Sequence, residues 1–276
     1  MSTESQLTFS SADPFEPDSS LVDEVRVALN IGPRVGLPDG KTGPDILLLH
    51  YTGMANADGA LKWLCCAESK VSCHYFIFED GRIVQSVREA DRAQHAGEGA
   101  WEGHRDINSR SIGIEIANPG HAGGLPDFPQ VQMDAVLRLS QDIVARNGIE
   151  PHHVIGHSDM APHRKEDPGE KFDWTWLADN GVGHLVPPAP EEAGSFFQMG
   201  DSGQPVEALQ SMLALYGYDL EINGHYDDRT RIVVTAFQRH FRRDKVDGVA
   251  DLSTIKTLHA LLQALPVRSA NASAAG

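Results

Sequence analysis

The sequence is poor in positive charge, in cysteine and in long apolar runs. Against 39 Asp and Glu stand 23 Lys and Arg, a formal net charge of -16 over 276 residues. A chain this acidic offers no general field for nucleic acid or an anionic lipid surface. The three cysteines, Cys65, Cys66 and Cys73, fall within nine positions. An odd, clustered set is a poor disulfide framework and reads as reduced thiols. No apolar run approaches the roughly 18–20 residues that span a bilayer, so no transmembrane segment is expected. The first 25 residues hold Glu4, Asp13, Glu16, Asp18, Asp23 and Glu24 and no Lys or Arg. Neither a basic, then apolar, secretory signal nor an early lipid-bearing cysteine is visible. The expected location is therefore the cytoplasm, with the periplasm as the alternative. What is present is ordinary globular usage, 41% hydrophobic and 22% charged residues. The length suggests two domains at about 150 residues each.

Residues 1–30 read as an acidic segment with a short helix near Ser20–Asn30. Residues 31–185 alternate strand and helix signals. Asp45–Tyr51 is a continuous apolar run of strand length. Ala57–Ser69 reads as a helix. Cys73–Glu79 and Arg82–Val87 flank Asp80-Gly81, a hairpin signal. Ser111–Ala117 alternates as a strand should, and His153–Gly156 is another short strand. Phe128–Asn147 has a broad apolar side from Val131 to Val144 and ends at Gly148. The expected fold class is α/β, a mixed central sheet flanked by helices. Residues 186–198 hold a Pro-rich linker. Residues 199–264 show three helical patterns, at Val206–Tyr216, Thr230–Phe241 and Ser253–Leu262. Asp228 or Thr230, and Ser253, are the expected caps of the second and third. Residues 265–276 read as a fraying tail.

Thirteen histidines are many for this length, so position must discriminate among them. His50 closes the buried-type strand. His157 follows a short apolar strand, and Asp167 stands ten residues later before Pro168-Gly169. Two imidazoles and a carboxylate suit a catalytic zinc, with a fourth position left open. From spacing alone, ordinary structural roles for these residues explain the pattern better.

Four stretches alter that balance: LLLHYTG at 47–53, SCHYFIFEDGRIVQ at 72–85, HAG with NSRSIGIEIAN ending at Asn118, and GHSDMAPHRKEDPGEKFDW at 156–174. In this order they resemble the type 2 N-acetylmuramoyl-L-alanine amidases, zinc enzymes that share a fold with peptidoglycan recognition proteins. The resemblance covers about residues 40–180, and the HYTG form is more like the broad-specificity AmiD branch than the AmpD branch. It implies that His50, His157 and Asp167 bind Zn2+, that Glu115 is the acid/base carboxylate, and that Lys165 is the transition-state cation. It places His95, Asn108 and Tyr51 along the substrate groove. Cys73 stands where some phage relatives have Tyr, which favours the Glu-based mechanism. The bond expected to break joins the lactyl group of N-acetylmuramic acid to L-Ala.

Glu115 alternates with Ile114 and Ile116, so by itself it also reads as a solvent-face residue. Lys165, within RKED, also reads as part of a solvated charge run. His74 is expected to be a core histidine bonded to backbone, and Cys65 and Cys66 to be core packing. Residues 200–263 resemble the three-helix peptidoglycan-binding domain, through GDSGQPVEALQSMLALYGY, NGHYDDRTRIVVTAFQRHF and VDGVADLSTIKTLHALL. The expected partners are peptidoglycan or muropeptides, with the second domain raising local substrate concentration. Two rival readings are a recycling amidase restricted to 1,6-anhydro-muropeptides and a non-catalytic peptidoglycan sensor.

Overall fold

An apolar run with no polar alternation needs cover on both faces, and Ile46–Leu49 is fully buried. A computed structural model describes residues 7–36 and 43–266; the expected tail lies, beyond residue 266, outside them. The strands among those residues are β1 (Glu24–Val25), β2 (Ile31–Pro33), β3 (Ile46–Tyr51), β4 (Tyr75–Ile77), β5 (Ile83–Gln85), β6 (Asp91–Ala93), β7 (Ser111–Ile116) and β8 (Val154–Gly156). Six form a mixed sheet in the order β1-β5-β4-β7-β3-β8, and β2 pairs with β6 in a separate ribbon. The helices are α1 (Ala57–Cys65), α2 (Ile107–Arg110), α3 (Gln130–Asn147), α4 (His157–Met160) and α5 (Trp174–Asp179), then α6 (Gln204–Tyr216), α7 (Asp228–Phe241) and α8 (Leu252–Ala264).

Successive side chains of a strand point to opposite faces, and this sorts the sheet. Leu47, Leu49, Ile112, Ile114 and Ile116 pack with Met133, Val136, Leu139 and Ile143 of α3. Gly148, at φ 62°, closes that helix in the left-handed conformation glycine tolerates best. Val131, counted on its apolar side, is instead 52% exposed, and Gln132 and Met133 are the residues of the first turn that meet the sheet. On the other face, Phe76 and Val84 meet Leu61, Leu64 and Cys65 of α1, so the cysteines are core packing as expected. Ile46 and Leu48 join a different cluster that contains Trp101, Val206, Leu213, Tyr218 and Phe237.

Two expectations change. Ser20–Asn30 is not a helix. The open edge of β5 offers hydrogen bonds that an isolated short helix cannot match. Asp23 N and Arg26 N each donate at 2.9 Å, to the Ile83 and Gln85 carbonyls. The Asp23 carboxylate accepts from Ile83 N at 2.8 Å, and Asp18 accepts from Glu89 N at 2.8 Å. The caps of α7 and α8 are Asp227 and Asp251, which accept from Thr230 N and Thr254 N at 2.8 Å, because both helices start earlier than their apolar spacing indicates. The C-terminal unit packs directly on the sheet domain. It shares one apolar cluster with the sheet domain, and Ala189 of the Pro-rich stretch is hydrogen-bonded to Thr257 and Ser253 of α8.

Candidate metal centre and substrate cavity

The same alternation sets the site. With Leu47 and Leu49 facing α3, His50 must face the other way. In the parallel register His50 stands opposite Glu115, so β3 and β7 deliver an imidazole and a carboxylate side by side. His157 opens α4 directly after β8. Asp167 is held near it because Ser158 N donates to the Asp167 carbonyl at 2.9 Å. His50 Nδ1 lies 2.8 Å from His157 Nδ1 and 3.1 Å from Asp167 Oδ2, and His157 Nδ1 lies 3.0 Å from the same oxygen.

The surrounding hydrogen bonds settle which ring nitrogens carry protons. His157 Nε2 is 2.8 Å from the Ala96 carbonyl, which can only accept, so Nε2 donates and Nδ1 carries the lone pair. Ser111 Oγ donates to the Ile107 carbonyl at 2.5 Å and so accepts from His95 Nε2 at 3.3 Å. His95 Nδ1 then accepts from His50 Nε2 at 3.0 Å, which leaves His50 Nδ1 bare. Burial, reinforced by His157, pushes the His50 imidazole down to about 4. Two lone pairs and a carboxylate oxygen thus converge with no proton among them. That arrangement is unfavourable unless a cation sits between them, and an N, N, O set suits a borderline divalent metal. His50, His157 and Asp167 therefore fit a metal ion.

A cavity of about 250 Å³ opens on this triangle and is lined by Glu115, Lys165, Tyr51 and His95 among others. Glu115 is half-buried, and its Oε2 is buried with no hydrogen-bond partner among the described residues. Burial and the charge of Asp167 push its carboxyl up to about 8, against the opposing pull of Lys165. The solvent-face reading of Glu115 therefore fails. Tyr51 OH is 3.0 Å from His121 Nδ1, and burial raises its hydroxyl to about 12.

Two groove residues have different work. His95 reaches the cavity, but its ring is spent on His50 and Ser111, so it orients a candidate ligand. Asn108 does not line the cavity. Its side-chain oxygen accepts from His95 N at 2.9 Å and Ala96 N at 2.8 Å, holding the loop from which His95 projects. His74 is a core histidine as expected: Nδ1 accepts from Gly113 N at 3.0 Å, and Nε2 donates to the Asp91 carbonyl at 3.1 Å. The sequence reading missed Trp63, Met54 and Val71, which line the cavity while remaining 42%, 40% and 37% exposed. The available signal was a tryptophan on the outward side of α1, opposite the buried Leu61 and Leu64.

A family model for N-acetylmuramoyl-L-alanine amidase matches residues 40–170, and a peptidoglycan binding domain model matches residues 202–258. The N-acetylmuramoyl-L-alanine amidase AmiD of Escherichia coli is 35% identical over 232 residues, covering 79% of this chain and 82% of that one. The solved complex of E. coli AmiD with anhydro-N-acetylmuramic acid-L-Ala-D-gamma-Glu-L-Lys superposes with a TM-score of 0.70 at 32% identity, covering 85% of this chain and 97% of that one. Pseudomonas aeruginosa AmpDh3, solved with anhydromuramic pentapeptide, gives a TM-score of 0.67 at 30% identity, over 83% of this chain and 95% of that one.

Proposed function

The chain belongs to the N-acetylmuramoyl-L-alanine amidase family, and we propose that it hydrolyses the amide between the lactyl group of N-acetylmuramic acid and L-alanine in muropeptides, including 1,6-anhydro forms. In this reading His50, His157 and Asp167 hold Zn2+. When bound, the ion supplies Lewis acidity toward the amide carbonyl and the attacking water. Glu115 takes the proton of that water and returns it to the leaving nitrogen. A carboxyl raised by burial is suited to both directions of transfer near neutral pH, and a divalent cation beside it favours the ionised form that begins the cycle. Lys165 lines the same cavity, and its side chain makes no hydrogen bond or ion pair among the described residues, which leaves its ammonium free for the charge developing on the carbonyl oxygen. Trp63, Met54 and Val71 offer an apolar wall for the sugar and peptide. The C-terminal domain holds peptidoglycan.

The observation that carries this reading is the in-register pair His50 and Glu115, facing one cavity with two further acceptors and a free ammonium. A sensor without turnover has no need of a partnerless carboxyl oxygen there. Inclusion of anhydro forms is supported by the ligands of the AmiD and AmpDh3 complexes. The test is mass spectrometry of zinc-loaded protein incubated with intact sacculi, muramyl-peptides and anhydro-muropeptides. Release of peptides with a free L-Ala amine from at least the soluble fragments is expected. Release from anhydro forms alone would establish the narrower recycling reading, and no release from any of the three would refute amidase activity.

A further inference from the structure

α4 is a four-residue turn that begins with His157. So short a helix has no stability of its own, so its geometry must be imposed by neighbours. The chief one is its third residue. Asp159 is 1% exposed. Its Oδ2 accepts from Gly156 N at 2.7 Å, which closes the start of the turn immediately before His157. The other partners of this carboxylate come from the C-terminal domain. Tyr218 OH donates to Oδ1 at 2.7 Å, and His240 Nδ1 lies 2.8 Å from Oδ2. Both partners are themselves fixed. His240 is stacked between Trp174 and Phe241, with ring centroids 3.7 and 3.8 Å away. Tyr218 meets the edge of Trp101 at 5.1 Å.

We infer that the C-terminal domain is a positioning element of the metal centre, acting through Asp159 to fix the direction in which His157 presents Nδ1. This rests on the reading that His50, His157 and Asp167 hold zinc. A buried carboxylate keeps its place only while its charge is matched by donors. With Tyr218 and His240 in place, Asp159 stays inward and caps the turn. Without them, one backbone N–H remains, and the carboxylate is driven toward water. The turn then opens at Gly156, and His157 loses its aim at the point shared with His50 and Asp167. The domain expected only to tether the enzyme to the wall thereby completes the site that does the chemistry. Partners hydrogen-bonded directly to a metal ligand typically change metal affinity by about 10–100-fold, which is the upper bound for contacts one step further out.

The test uses the full chain and reads zinc affinity by competition with a chromophoric chelator, alongside kcat and KM on a soluble muropeptide that needs no wall anchoring. Tyr218→Phe and His240→Phe remove the donors and keep the rings. Each should weaken zinc binding, and together they should do so by up to about 10–100-fold, with kcat falling at subsaturating zinc. Arg243→Ala is the control. It cuts a different contact between the domains, to the Phe172 carbonyl, Asp173 and Thr175, and should leave zinc affinity unchanged. Wild-type zinc affinity in the double variant, or in Tyr218→Phe should the double variant not fold, overturns the inference. So does an equal loss in Arg243→Ala, which would make docking in general the cause. Wild-type protein that binds no zinc overturns the underlying reading of the site instead.

Discussion

Replacing Gly113 by alanine should weaken the metal centre through a residue that touches neither metal nor substrate. A Cβ at position 113 would lie 2.3 Å from His95 Nδ1, 2.5 Å from Cγ and 2.6 Å from Cε1. Comfortable contact is about 3.5 Å, so the ring must retreat by roughly 1 Å. The obstacle is a packed ring above the sheet, not the tip of a flexible chain, and overpacking of this kind costs about 1–3 kcal/mol. The retreat also breaks the His50–His95 hydrogen bond, worth about 1 kcal/mol net. At about 2–4 °C per kcal/mol for domains of this size, Tm should fall by roughly 5–15 °C. Because His95 fixes the proton of His50, zinc affinity should fall by about 10–100-fold as well. Calorimetry with and without zinc measures the first effect, and chelator competition the second. Gly113→Ala/His95→Ala separates them: removing the ring should restore most of the Tm and leave zinc affinity low. A Gly113→Ala protein with wild-type Tm and wild-type zinc affinity would refute the argument that this ring supports His50.

Glu115→Gln should retain one zinc per chain by elemental analysis and lose turnover by about 10²–10⁴-fold; full activity would exclude Glu115 as the acid/base. Lys165→Met should lower kcat by about 10²–10³-fold with little change in KM, and a pure KM effect would instead make Lys165 a binding residue. Zinc binding at pH 7 should release a proton from Glu115. Without metal the carboxyl titrates at about 8 and is largely protonated at that pH, and a nearby divalent charge lowers its pKa and drives the proton off. Calorimetry of zinc binding in buffers of different ionisation enthalpy measures that proton, and Glu115→Gln should remove it; equal release in the two proteins would place the raised pKa elsewhere.

The central sheet was legible because each strand signal was local. The apolar run of β3, the Asp80-Gly81 hairpin and the alternation of β7 need only neighbouring residues to be read. The N-terminal segment was misread for the opposite reason. Glu24 and Val25 become a strand only because β5 offers them an edge, and that edge lies about 60 residues away in the chain. The candidate ligands came from the wording of the motifs, whereas their convergence is a property of sheet register. His95 was placed near the cavity, but its role depends on proton positions passed from Ser111 through His95 to His50, which no spacing encodes. Docking of the C-terminal domain was the least legible feature, since Asp159 meets Tyr218 and His240 across 59 and 81 residues.

The parallel pairing of β1 with β5 has a further consequence for how the molecule behaves in a crowd. β5 ends one side of the hairpin that leads into the sheet, and a bare strand edge there would be a template on which a second chain could add itself. The segment from Asp18 to Ala28 occupies that edge with its own backbone and with carboxylates turned onto the N–H groups of Ile83, in the strand, and Glu89, beyond it. Its acidic side chains are thus spent on the sheet, Asp18 and Asp23 on backbone N–H groups and Glu24 on Arg26 and Arg82. Trimming the chain before Arg26 should therefore bare the β5 edge and raise self-association, which light scattering would measure.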